Sequence, residues 1–561
     1  MKTKLALLFC CFVFSALVVK AQLGAITKPF TYADTLRGSI TPERAWWDAL
    51  HYSILVTPDF ENKSIAGKVD IRFKVVAAGK RMQIDLQEPM ELTKAYYLDK
   101  KVPYSREGNV YYLEFPKMLT KGTIGTIALA FKGKPQVAKR PPWDGGWIFQ
   151  KDKKNRPWMS VACQGLGASV WYPCKDHQSD EPDNGAVLMI TVPDTMVAVG
   201  NGRLVSKKSY SPGTMTWRWE VKNPINIYNL VPYIGQYVTW HETFDGEKGK
   251  LDCDYWVLDY ELDKAKEQFK QAREMLKCFE HWMGPYPFYE DGYKLVQAPH
   301  LGMEHQSAVA YGNQFMNGYL GRDLSGTGWG LKWDFIIVHE SGHEWFANNV
   351  TSKDLADMWI HEGFTNYSET LFTECQSGKE AANEYNYGSR KGIRNDVPII
   401  APYGVNKQGS GDMYPKSGAM LQSIRHAVND DEKFRNMLRF LNKKFYHQTV
   451  TTEDIQDAMS GFLGLNVNRI FDQYLRTTKI PVFEYAVSPD KTKFMYRWSN
   501  CVEGFNLPVY VQSDKGMLLL GPETTKWNTK ELNGGDISAY KFSSIEKNYY
   551  VTVKETDPVN N

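Results

Sequence analysis

Between about residues 45 and 245, apolar and polar positions alternate with a period of two. Lys68-Val69-Asp70-Ile71-Arg72-Phe73-Lys74-Val75 does so without a break, which predicts a strand with one face in a core and the other in water. Similar short runs follow, parted by turn signals such as Val192-Pro193-Asp194 and Ser211-Pro212-Gly213. Past residue 258 the period lengthens. Glu261 to Met283 predicts a long amphipathic helix stopped by Gly284-Pro285, and helical segments, Asp431–Phe445 among them, prevail to about residue 478. Beyond Ile480-Pro481, strand patterns return at Phe494–Trp498, Val509–Gln512 and Tyr549–Val553, with a turn at Asp514-Lys515-Gly516. The expected fold class is α+β and multidomain. It comprises an N-terminal β-sheet domain over 22–245, a mostly helical domain over 246–482, and a small β-sandwich-like domain over 483–561.

The first 21 residues stand apart. Lys2 and Lys4 precede an apolar stretch from Leu5 to Val19, and Val19-Lys20-Ala21 has small-residue cleavage character, which predicts a signal peptide cut before Gln22. The stretch is short of the roughly 20 residues a spanning helix needs, so no transmembrane segment is expected after cleavage. The mature chain is expected to be exported, periplasmic or extracellular. Cleavage removes Lys2, Lys4 and Lys20 and no acid, bringing the formal charge of +3 to zero. A neutral chain offers no basis for binding nucleic acid or an anionic membrane. Six cysteines remain: Cys163, Cys174, Cys253, Cys278, Cys375 and Cys501. They are too sparse for a disulfide scaffold. Cys163 with Cys174 is the first pair to test, and two unpaired buried thiols are the equal alternative.

The chemistry is concentrated in one run, Val338-His339-Glu340-Ser341-Gly342-His343-Glu344-Trp345, followed by Trp359-Ile360-His361-Glu362-Gly363-Phe364. Residues four apart share a helix face, so His339 and His343 can reach one metal, while Glu340 lies about 100° around the helix beside it. Glu362 follows on a second helix as the third ligand. Two neutral imidazoles and a carboxylate leave the fourth position of a tetrahedral zinc open for water, as catalysis requires. With 11 histidines in the chain, a chance HExxH is expected in about one such sequence in a hundred. Apolar residues from Trp333 to Ile337 predict a buried helix, where a pair of imidazoles needs partners.

At this level the chain resembles the gluzincin zinc aminopeptidases, of the aminopeptidase N and leukotriene epoxide hydrolase type, over nearly all of its mature length. The HExxH-x18-E spacing carries the likeness, with Trp345-Phe346-Ala347-Asn348 and the flanks of Glu362. Gly302-Met303-Glu304-His305 lies where the family has its exopeptidase signature, His305 standing for the usual asparagine. Tyr414-Pro415-Lys416-Ser417-Gly418-Ala419 resembles the segment with the family's catalytic tyrosine, with Ser417 departing from the usual Lys-Gly-Ala. Gln164 aligns with a substrate-contacting glutamine. The resemblance implies a thermolysin-like catalytic domain, one Zn2+ per chain and peptide substrates with a free amino terminus. Since the chain returns to β after residue 480, the family's large C-terminal helical domain is not expected.

In this reading His339, His343 and Glu362 hold the metal and Glu340 is the general base. Tyr414 donates to the oxyanion. A free α-amino group is a cation at neutral pH, so a partly buried carboxylate, Glu304, is its anchor. Gly302 and Met303 line the peptide with their backbones, and Gln164 lies near the amine. Asn366 and Glu369, one and two turns after Glu362, either orient a ligand or sit on a solvated helix face. His361, Glu344 and His305 have no assigned reach to the metal. A thermolysin-type metallo-endopeptidase, a lipid epoxide hydrolase and a non-catalytic binding protein on the same fold are the rival readings. Side-chain specificity and oligomeric state are not encoded in any linear motif.

Overall fold

A computed structural model describes residues 29–557, apart from 491, 514, 515, 525 and 532–539. The expected signal peptide, residues 1–21, lies outside the described residues, as do Asp514 and Lys515 of the expected turn.

The N-terminal region is built on an eight-stranded sheet. Its central strands are Trp47–Asp59 and Ser64–Val75, paired antiparallel, and Ala186–Pro193 joins the first of them in parallel. The alternation at 68–75 is resolved as expected: Val69, Ile71, Phe73 and Val75 are fully buried while Lys68, Arg72 and Lys74 face solvent. A three-stranded and a four-stranded sheet complete this region, and one apolar core joins them.

A five-stranded sheet leads into the helical region in the order Tyr237–Gly246, Gly249–Leu258, Tyr293–Gln297, Val309–Tyr311, Gly302–Met303. Its first two strands form an antiparallel hairpin that spans the expected junction at 245/246, so the sheet is continuous across that position. The two-residue strand Gly302–Met303 is its edge. The single helix expected over Glu261–Met283 is broken into Leu262–Gln268 and Lys270–Met283. At the break, Phe269 is buried against Trp240 and Tyr311, with ring centroids at 5.9 and 4.8 Å, so aromatic packing sets the bend. Gly284, at φ +94°, stops the second piece as expected.

Helices Phe335–Gly342, Trp359–Ser377, Lys379–Ser389 and Pro415–Val428 pack around the motif. Gly363 allows helices Trp359–Ser377 and Pro415–Val428 to approach closely, because a Cβ there would stand 2.5 Å from Ser417 Cβ. The C-terminal β domain has a four-stranded sheet and the hairpin Val509–Ser513/Gly516–Leu520. Its last strand begins at Thr552, later than expected, since Tyr549 closes a short helix, Ser543–Asn548, and is itself buried.

Of the two alternatives for Cys163 and Cys174, the structure has the second: both are buried free thiols and are not bonded to each other. Cys278 on Lys270–Met283 is instead bonded to Cys375 on Trp359–Ser377, across a separation of 97 residues. A loop of that length stabilises by about 4–5 kcal/mol in the chain-entropy account. Cys375→Ser is therefore expected to lower the melting temperature by several degrees under non-reducing conditions. A wild-type melt that dithiothreitol leaves unmoved would show that the bond is not formed.

Candidate metal and catalytic site

The motif helix Phe335–Gly342 starts at Asp334, whose carboxylate accepts from the backbone N–H of Ile336 (3.0 Å) and Ile337 (3.3 Å). Asn313 Nδ2, Tyr311 Oη and Gln268 Nε2 also donate to Asp334, so the cap ties the helix to the sheet and to the helix Leu262–Gln268. His343 is the C-cap residue but keeps helical angles (φ −63°, ψ −18°), which preserves the shared face with His339. Every residue of the helix is buried.

Glu362 Oε2 lies 3.6 Å from His339 Nε2 and 3.3 Å from His343 Nε2. Tetrahedral bonds of about 2.0–2.1 Å place neighbouring ligand atoms about 3.3–3.4 Å apart, so the three converge as a metal set does. The other faces of these groups agree. His339 Nδ1 bonds Glu369 Oε1 at 2.7 Å, and His343 Nδ1 faces Phe346 O (3.1 Å) and Thr365 Oγ1 (3.0 Å). With each Nδ1 engaged, the Nε2 lone pairs are left for a cation. Glu362 Oε2 itself is buried without a hydrogen-bond partner, an unfavourable state for a carboxylate unless a metal balances it. The donor set fits a catalytic zinc.

Glu369 is buried and not on a solvated face. Tyr385 Oη donates to its Oε2 at 2.7 Å, and Asn366 Nδ2 to both oxygens at 3.2 and 3.3 Å. Glu369→Ala is expected to weaken metal affinity about 10–100-fold, by freeing the His339 ring. Competition against a chromogenic chelator would measure it, and an unchanged affinity would remove Glu369 from the site.

Glu340, Glu304 and His343 offer atoms within 4.8 Å of one another, which sets two carboxylates against the metal set. Burial, with Glu304 and Glu362 nearby, pushes the Glu340 carboxyl up to about 7 against the pull of His339 and His343. Such a group can take a proton and return it. Gly302 makes room: a Cβ there would lie 2.6 Å from Glu340 Oε1 and 2.9 Å from Ile336 Cγ2. Tyr414 joins the turn Gly411–Met413 to helix Pro415–Val428, with its ring centroid 6.0 Å from that of His339. Burial and the carboxylates Glu362, Glu304 and Glu340 raise its phenol far above the usual range, keeping the proton it would donate.

Glu304 follows the edge strand and is buried. Gln164 Nε2 and Tyr228 Oη both donate to its Oε1, at 2.7 and 2.8 Å, and Asn348 Nδ2 holds its carbonyl at 2.8 Å. The structure thus brings together His339, Glu340, His343, Glu362, Glu304, Gln164, Gly302, Met303 and Tyr414. His305 turns away, its Nδ1 at 2.5 Å from Tyr233 Oη. His361 Nε2 accepts from Ser352 N and Glu344 Oε1 from Ser307 N, so both are structural. Sequence reasoning passed over Tyr228, Tyr385 and Asp334. Asp334 carried a signal, being an N-cap residue directly before the apolar run; the two tyrosines carried none.

Residues 260–474 match the Peptidase family M1 domain. Human aminopeptidase B is 23% identical over 440 residues, covering 74% of this chain and 63% of that protein. Aminopeptidase M1 of Arabidopsis thaliana is 23% identical over 78% of this chain and 51% of its own length, so the chain spans between half and two thirds of these relatives. Among solved structures, a mutant M1 zinc metallopeptidase from Deinococcus radiodurans bound to a Tyr-Ser-Ala substrate aligns with a TM-score of 0.63. It is 20% identical and covers 77% of this chain and 95% of that one. A mutant two-domain M1 zinc metallopeptidase bound to L-tryptophan reaches 0.66 at 20% identity, again over 77% and 95%. The metal-type cluster lies inside the matched segment, so residues 260–474 carry a Peptidase family M1 domain.

Proposed function

We propose that the chain is a zinc-dependent aminopeptidase that hydrolyses the amino-terminal peptide bond of peptides. The observation that carries this reading is Glu304, a buried carboxylate pinned by Gln164 and Tyr228 beside the metal cluster. An enzyme that cuts inside chains has no use for a fixed anion there, whereas a free α-ammonium group needs one. His339, His343 and Glu362 would hold one zinc per chain. When bound, the metal lowers the pKa of water towards about 7 and polarises a carbonyl as a Lewis acid.

The remaining steps belong to the chain. Among the described residues Gly302–Met303 is the last strand of its sheet, so an extended peptide can pair along it and lie along the sheet. Glu304 holds the amine and closes the cleft to longer chains. Glu340 takes a proton from the attacking water and passes it to the departing amine. Tyr414 donates to the oxygen on which negative charge develops. Export to a periplasm or the cell exterior is part of the proposal, resting on the pattern of residues 1–21 and on the Cys278–Cys375 bond, which suits an oxidising compartment.

The test is a panel of peptides, each with a free and an acetylated amino terminus, incubated with and without chelator and read by mass spectrometry. Chelator-sensitive loss of one residue at a time from free termini alone is expected. Internal cuts would mark a thermolysin-type endopeptidase, and zinc binding without turnover a non-catalytic protein on the same fold.

A further inference from the structure

Gln164 and Tyr228, the two residues that hold Glu304, also form one wall of a cavity. The rest of it is not part of the metal site. Arg37 and Gly38, from the short helix Tyr32–Gly38, close one side against Val405 and Asn406. The fit is tight: a Cβ on Gly38 would stand 2.2 Å from those residues, and Asn406 N donates to Asp34 O at 2.9 Å. Asn226, Lys353 and Asp354 complete the lining that matters.

The polar groups of this cavity are lopsided. Its two carboxylates, Asp176 and Asp354, are engaged. Asp176 Oδ2 takes Ser169 Oγ and N at 2.5 and 3.2 Å and faces Arg37 Nε at 3.5 Å. Asp354 takes Ala356 N and Gly404 N at 2.9 and 2.8 Å. Donors remain. Asn226 is 2% exposed, and its Oδ1 accepts from Tyr228 N, which fixes the amide; its Nδ2 has no partner. Lys353, exposed at the rim, makes no ion pair among the described residues.

We propose that this cavity receives the side chain of the substrate's first residue and selects glutamine and glutamate over lysine and arginine. The inference rests on the aminopeptidase reading, since the amine held by Glu304 and the side chain branch from the same carbon. A carboxamide or carboxylate oxygen would satisfy Asn226 Nδ2 and lie near Lys353. A cationic side chain finds the carboxylates Asp176 and Asp354 already engaged and meets Lys353 and Arg37, and an apolar one leaves the buried amide unpaired.

Two readouts test it on the zinc-loaded full chain. The first is kcat/KM for dipeptides differing only in the first residue; the second, independent of turnover, is the melting shift given by free L-glutamine, L-glutamate, L-lysine and L-arginine. Glutamine and glutamate are expected to exceed lysine and arginine by at least about tenfold in kcat/KM and to give the larger shifts. Lys353→Glu, at an exposed position, is expected to raise the arginine-to-glutamate ratio at least about tenfold. Should lysine and arginine match glutamine in both readouts, or Lys353→Glu leave the ratio unmoved, the proposal is overturned while the aminopeptidase reading stands. If no peptide is cut but the shifts rank as expected and invert in Lys353→Glu, the pocket stands and the aminopeptidase reading falls. Absence of both turnover and ranked shifts overturns both.

Discussion

Glu340→Gln is expected to keep one zinc per chain and to lose about 10²–10⁴-fold in turnover. The argument is geometric. The metal set closes on Glu362 Oε2 and the two Nε2 atoms without the Glu340 carboxylate. Glu340 instead packs against the glycine of the edge strand, on the side from which a peptide would approach. Glutamine preserves that shape where Gly302 leaves little space, but its amide cannot accept and return a proton at neutral pH. Metal content by mass spectrometry and kcat on a free-amine peptide would separate the two properties. A variant retaining a tenth or more of wild-type turnover would show that Glu340 is not the base. One that lost zinc would show that it helps to hold the metal.

Which features were legible beforehand follows from how local their causes are. The strand at 68–75 could be read because one face is buried and the other wet, so the pleat is printed in the residue order. The motif helix could be read because its two imidazoles are four residues apart and the base lies between them. The helix break at Phe269 could not, since its cause is the packing of Trp240 and Tyr311, remote in the chain. Tyr228 meets Glu304 across 76 residues, and Tyr385 meets Glu369 from the next helix, with 32 tyrosines in the chain to choose among. The disulfide was missed for the same reason. Cys163 and Cys174 are near in sequence, but the bonded pair is brought together by two packed helices.

Glu304→Ala is expected to abolish the distinction between free and blocked termini. Three hydrogen bonds, from Gln164, Tyr228 and Asn348, hold the residue in place, so it is preorganised before substrate arrives. Burial first, with Glu362 adding to it, raises its carboxyl, and the pull of His343 opposes them. A bound α-ammonium group would favour the ionised form by the same electrostatics. Truncating one partner of a buried, hydrogen-bonded charge pair costs about 2–5 kcal/mol. That converts to a fall in kcat/KM of roughly 30- to several-thousand-fold on free-amine peptides. Zinc affinity is expected to hold, because Glu304 lies outside the three ligand atoms that converge. Acetylated peptides, already poor substrates, are expected to be cut no more slowly by the variant than by the wild type. The decisive comparison is the ratio of free to acetylated kcat/KM in the two proteins: collapse towards unity assigns the anchor to Glu304, and an unchanged ratio places the amine elsewhere.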